Sequence, residues 1–152
     1  MKLEQAIKST KFKSESQKAV LNILYSAWWL KTLMTKDLKR FGLTHEQYNV
    51  LRILKGKHPE QMCVRDIASR MIEKSSNVPR IIDRLELKKF VERNTSMLDK
   101  RETVITITQK GIEVLRDSTS LIEKKSESSF LIEEKDAFLL NTLLDKIRTS
   151  EL

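Results

Sequence analysis

From Glu15 to Phe41 the chain runs without a proline or a glycine, and its apolar residues recur at helical spacing: Val20, Ile23, Leu24, Ala27, Trp28, Leu30, Leu33, Met34, Leu38 and Phe41. A stretch of that period and length reads as one long amphipathic helix. Gly42 is its natural stop. Trp29 and Leu30 fall off the main line, so this helix needs packing partners on two sides. Only three glycines and two prolines occur in 152 residues. That scarcity leaves little room for a Gly-rich phosphate loop, a long linker or a turn-rich all-β fold.

The rest of the chain is punctuated by caps. Thr44-His45-Glu46-Gln47 forms a capping box that opens a second helix with Tyr48, Leu51, Ile53 and Leu54 inside, ended by Gly56 and Pro59. Val64 to about Met71 reads as a short third helix. After a brief turn, Ser75 or Ser76 caps a fourth, with Val78, Ile81, Ile82 and Leu85 facing inward. Pro79 is tolerated there because first-turn N–H groups have no intrahelical partner. Phe90–Arg93 and the β-branched Val104–Thr108 read as a hairpin around a long polar tip. Thr108 then caps a fifth helix, and a sixth spans about Glu133–Arg148. The expected order is four helices, a hairpin and two helices, a mainly α fold with a small β-wing.

Charge narrows the partner. The net charge is +8, but it is unevenly spread: residues 1–40 carry nine basic and three acidic side chains, 74–110 nine and five, and 111–152 six and nine. The fourth helix and the hairpin are therefore in a basic region, which attracts polyanions. A hydrophobic fraction of 39% with clear periodicity excludes a disordered chain. No apolar run approaches a membrane span, Met1–Thr10 has no apolar signal core, and the single Cys63 rules out an internal disulfide framework. These features suit a soluble cytoplasmic protein.

A helix–turn–helix followed by a hairpin is a winged helix. In that arrangement the fourth helix is the recognition helix, with Ser76, Asn77, Arg80, Asp83, Arg84, Glu86 and Lys88 on its polar face. Ser, Asn and Arg at its start suit insertion into the major groove of duplex DNA. The hairpin tip carries Asp99-Lys100-Arg101. Lys100 and Arg101 can lie along a phosphate backbone or enter a minor groove, and Asp99 can orient the Arg101 guanidinium through a charge-assisted pair.

Several short motifs occur in register: Ile67-Ala68-Ser69-Arg70-Met71, Ser75 through Glu86, Val91-Glu92-Arg93, Asp99-Lys100-Arg101 and Ile105 through Gly111. Together they resemble the multiple-antibiotic-resistance regulator (MarR) family of winged-helix regulators, over nearly the whole chain. The resemblance implies one domain over 1–152, a homodimer held by residues of about 15–41 and 109–150, and a DNA-binding lobe of about 44–108. It implies a repressor on a pseudopalindromic operator, with Ser75, Ser76, Asn77 and Arg80 facing DNA from the recognition helix and Arg101, with Asp99, making the wing contact. Two positions depart from the family pattern: Lys89 stands where a glycine is usual, and Cys63 replaces the Ser or Thr cap of the third helix.

Many members of that family bind small aromatic or anionic effectors, and Tyr25, Trp28, Trp29, His45 and Tyr48 could line such a cleft. Read from spacing alone, Trp28 and Tyr48 are core residues. A winged-helix protein–protein module that does not touch DNA and a redox switch through Cys63 are the rival readings. His45 and His58 lie in different elements and one cysteine gives no zinc-type ligand set, so neither metal, cofactor nor catalysis is expected.

Overall fold

The computed structural model describes residues 1–74, 76–97, 100–129 (side chains through 125) and 132–148. It is a mainly helical chain with one small antiparallel sheet, divided into two compact units, Met1–Thr119 and Ser120–Leu152. In the first unit a short α1 (Leu3–Ala6) precedes the long α2 (Glu15–Leu38). The helix–turn–helix follows as α3 (His45–Lys57), α4 (Val64–Arg70) and α5 (Val78–Leu87). Strand β1 (Met62–Cys63) lies before α4, and β2 (Val91–Thr95) and β3 (Thr103–Ile107) form the hairpin. Helix α6 (Gln109–Ser129) leads into the second unit, which holds α7 (Glu134–Ile147).

The caps explain most of the boundaries. Ser14 opens α2 by accepting the Gln17 N–H. The expected long first helix tightens after Leu38 into a 3₁₀ turn, Lys39–Phe41. Gly42 ends it in the left-handed region at φ 66, where the Gly42 and Leu43 N–H groups reach back to Lys39 and Leu38. The Thr44/Gln47 capping box forms in both directions, at 3.2 Å each way. Gly56 does not end α3. It sits inside the helix, which continues to Lys57 before the cis His58–Pro59 bond.

Lys89 takes the left-handed conformation that the family pattern gives to glycine, with φ 62. Its N–H bonds the Glu86 carbonyl and the Phe90 N–H bonds the Leu85 carbonyl, which closes α5 with a Schellman motif despite the side chain. The core of the helix–turn–helix collects Leu38, Leu51, Leu54, Ile67, Ile82, Leu85 and Ile105, each at most 1% exposed. Burial of each such side chain contributes roughly 1.5–3 kcal/mol.

The sheet order is β1-β3-β2. Met62 and Cys63 pair with Ile105 and Val104, and β2 pairs with β3 from Val91↔Ile107 to Thr95↔Thr103. Strand β1 is absent from the expected order of elements, because its two residues carry no period. Thr108 leaves the strand to cap α6. Its hydroxyl accepts the Gly111 N–H and donates to the Lys89 carbonyl. A Cβ on Gly111 would stand 2.1 Å from the Phe90 carbonyl oxygen, so only glycine fits where α6 crosses the end of α5.

Two substitutions at this crossing should move stability in opposite directions. Lys89→Gly relieves a left-handed side chain and should stabilise the fold by about 1 kcal/mol. Gly111→Ala forces the backbone apart and should cost about 1–3 kcal/mol. Urea unfolding of both variants against the parent checks the signs.

Candidate nucleic-acid interface

Helix α5 is two-faced. Val78, Ile82 and Leu85 are buried at spacings of four and three, which turns Arg80, Asp83 and Arg84 to solvent. The helix is capped by Asn77, not by either preceding serine: the Asn77 side-chain oxygen accepts the Arg80 N–H at 3.3 Å. That bond occupies the Asn77 carbonyl and leaves its amide group to donate elsewhere. The Ser76 residue is half-buried, and its hydroxyl is enclosed with no hydrogen-bond partner among the described residues. Ser75 lies outside the described residues.

A cleft of about 350 Å³ opens beside the start of α5, with Glu46, Glu73, Asn77, Arg80 and Arg84 among its walls. The turn that forms one side of it is held by Asn49, whose side chain accepts the Ile72 N–H at 3.0 Å. From α2, the Lys31 ammonium bonds Glu73 and stands 3.8 Å from Glu46. The bond to Glu73 raises the Lys31 pKa against the opposing effect of burial. Burial pushes the Glu46 carboxyl up, but backbone, Thr44 and Lys31 contacts together hold it below the usual range.

Two basic residues outside the expected interface fix α5 in place. Arg93 of β2 pairs with both Asp83 and Glu86, at 3.4 Å for the latter, so the acidic part of the α5 polar face is bound to the wing. The Lys88 ammonium donates to the Gly42 carbonyl at 2.5 Å and to Gln47 Oε1 at 2.8 Å. It thereby ties the end of α5 to the junction before α3. Burial, then the nearby Arg84 charge, lowers the Lys88 pKa. Asp83, Glu86 and Lys88, expected on the polar face of the recognition helix, are thus engaged within the fold. The available signal was the acidic pair at i,i+3 followed by an arginine in the next strand.

The wing carries Lys100 and Arg101 exposed at its tip, where the Ser96 N–H closes the turn onto the Glu102 carbonyl at 2.9 Å. Asp99 lies outside the described residues. The aromatic residues do not gather at one site. Tyr25 and Trp28 are in tilted ring contact along α2, with centroids 5.4 Å apart and planes at 49°. Trp28 is 59% exposed, which corrects its reading as core, whereas Tyr48 is buried and bonds Thr119 through its hydroxyl at 3.0 Å. Trp28 lines a groove of about 430 Å³ with Lys31, Lys36 and Lys39. Tyr25 and Trp29 line another of about 280 Å³, and His45 lines neither.

Cys63 is buried at the start of α4 and its side chain makes no capping bond. Among the described residues no group of three His, Cys, Asp or Glu could hold a metal, and no helix is long and apolar enough to cross a membrane.

Residues 43–103 match the sequence model of the MarR family. The chain is 34% identical over 86 residues to the HTH-type transcriptional regulator MhqR of Bacillus subtilis, an alignment spanning 55% of this chain and 57% of MhqR. Its fold is similar to AbsC, a MarR family transcriptional regulator from Streptomyces coelicolor, with TM-score 0.79, 24% identity and coverage of 91% and 95% of the two chains. A mutant of MepR from S. aureus, solved bound to an oligodeoxyribonucleotide, matches with TM-score 0.59 and 22% identity over 90% of this chain and 96% of that one.

The Arg93 pairs are about half exposed, so Arg93→Ala should cost only about 0.5–1 kcal/mol. Asp83→Ala in that background should add little, because both remove the same contact. A double-mutant cycle by urea unfolding measures the coupling.

Proposed function

We propose that the chain is a member of the MarR family, whose sequence model its residues 43–103 match, and that it is a repressor that binds a pseudopalindromic DNA operator as a homodimer. The observation that carries this reading is the division of α5, whose buried stripe presents Arg80 and Arg84 outward beside a wing tipped by Lys100 and Arg101. Arg80, Arg84 and the Asn77 amide reach base edges in the major groove. Lys100 and Arg101 follow the phosphates or the minor groove, with Asp99 orienting Arg101.

The second copy covers α2. Val20, Leu24 and Trp28 lie at i, i+4 and i+8 and are 54%, 62% and 59% exposed. A large apolar stripe of this kind marks an interface. In the second unit, Phe138, Leu139, Leu143 and Ile147 of α7 are also exposed and offer an apolar face of their own. A small aromatic or anionic effector fits the Trp28 groove, where Lys31, Lys36 and Lys39 supply positive charge, and its binding releases the operator.

Titration of duplex DNA at several salt concentrations tests the reading. The parent should lose affinity steeply, by about 0.9 in log K per log salt for each phosphate neutralised. Arg80→Ala should cost about 1–3 kcal/mol and relax preference at one or two base pairs, while Arg101→Ala should weaken binding evenly and lower the slope by about one. A flat salt response overturns the DNA reading.

Sedimentation tests the assembly. The parent should be a dimer at micromolar concentration, and Leu24→Glu should shift it to monomer. A stable folded monomer of the parent contradicts the interface.

A further inference from the structure

Two carboxylates stand at the cleft beside the start of α5. Glu46 comes from the first turn of α3, and Glu73 from the turn between α4 and α5. Both share that cleft with Asn77, Arg80 and Arg84. Negative charge there opposes the approach of a polyanion. One lysine from a third element faces both: Lys31 of α2 bonds Glu73 and lies 3.8 Å from Glu46. All three side chains are between 31% and 45% exposed. As a contribution to stability such surface pairs are worth little. As a determinant of the field at the cleft they matter more, because removing the Lys31 charge leaves two carboxylates to offset Arg80 and Arg84 in the same cleft.

We propose that Lys31 is a positioning residue for DNA binding, which masks Glu46 and Glu73 and holds the helix–turn–helix turn to α2. This rests on the DNA-binding reading above. It differs in sign from a simple structural clamp. Breaking the contact from the Lys31 side exposes two acids, whereas breaking it from the Glu73 side removes one. The first should weaken DNA binding and the second should not.

The test uses the full chain and duplex DNA at low salt, with melting temperature followed in parallel. Lys31→Met should weaken binding about fivefold, with Lys31→Gln as a second variant should the first fail to fold. Glu73→Gln should bind at least as well as the parent. Lys31→Met/Glu46→Gln/Glu73→Gln should return to within about twofold of the parent. Lys31→Met/Glu60→Gln/Asp117→Asn has the same net charge with the distant acids neutralised instead, and should stay weak. Equal loss in Lys31→Met and Glu73→Gln overturns the proposal in favour of a structural clamp. Rescue by the distant pair overturns it in favour of net charge alone, and an unchanged Lys31→Met overturns it outright. Failure of the parent to bind any duplex is a different result, which removes the DNA reading itself.

Discussion

The seating of α5 is the contact on which the remaining geometry depends. Val78, Ile82 and Leu85 are at most 2% exposed, and α5 packs against α3, α4 and β2. Three buried points on one short helix fix its rotation about its own axis. A turn of the helix large enough to move Arg80 off the exposed face would bring Ile82 or Leu85 into water, at roughly 1.5–3 kcal/mol each. The apolar core therefore sets the direction of the polar face. Arg93 and Lys88 complete the placement from the wing and from the junction before α3.

Much of this was legible in the residues. The capping box at Thr44, the stop at Gly42 and the inward stripe of α5 each rest on local chemistry that the fold does not override. The failures have local reasons too. Strand β1 is two residues long and exists only because β3 offers it an edge. Three adjacent residues, Ser75, Ser76 and Asn77, have capping side chains, so local chemistry alone does not select Asn77, which accepts the Arg80 N–H. Gly56 is tolerated inside α3, since a lone glycine weakens a helix without breaking it.

The site was less legible than the fold. Arg80, Arg84, Lys100 and Arg101 are exposed as expected. Lys88 bonds Gly42 and Gln47, 46 and 41 residues away, which no linear pattern identifies, and Lys31 lies 42 residues from Glu73. Trp28 has the spacing of a core residue and is exposed. Periodicity says which residues share a helix face, but not whether that face meets the same chain or another one. The departure at Lys89 was visible as a non-glycine in a position that demands φ > 0, and the backbone accepts the strain to keep the Schellman closure.

Selection of bound sequences from a random duplex pool tests the central claim most directly. If the proposed dimer forms, two copies of α5 related by its two-fold axis should enrich a pseudopalindrome, its half-sites about one helical turn apart. Enrichment of a single unpaired half-site would contradict the dimeric arrangement, and recovery of no sequence above background at low salt would contradict DNA recognition by this fold.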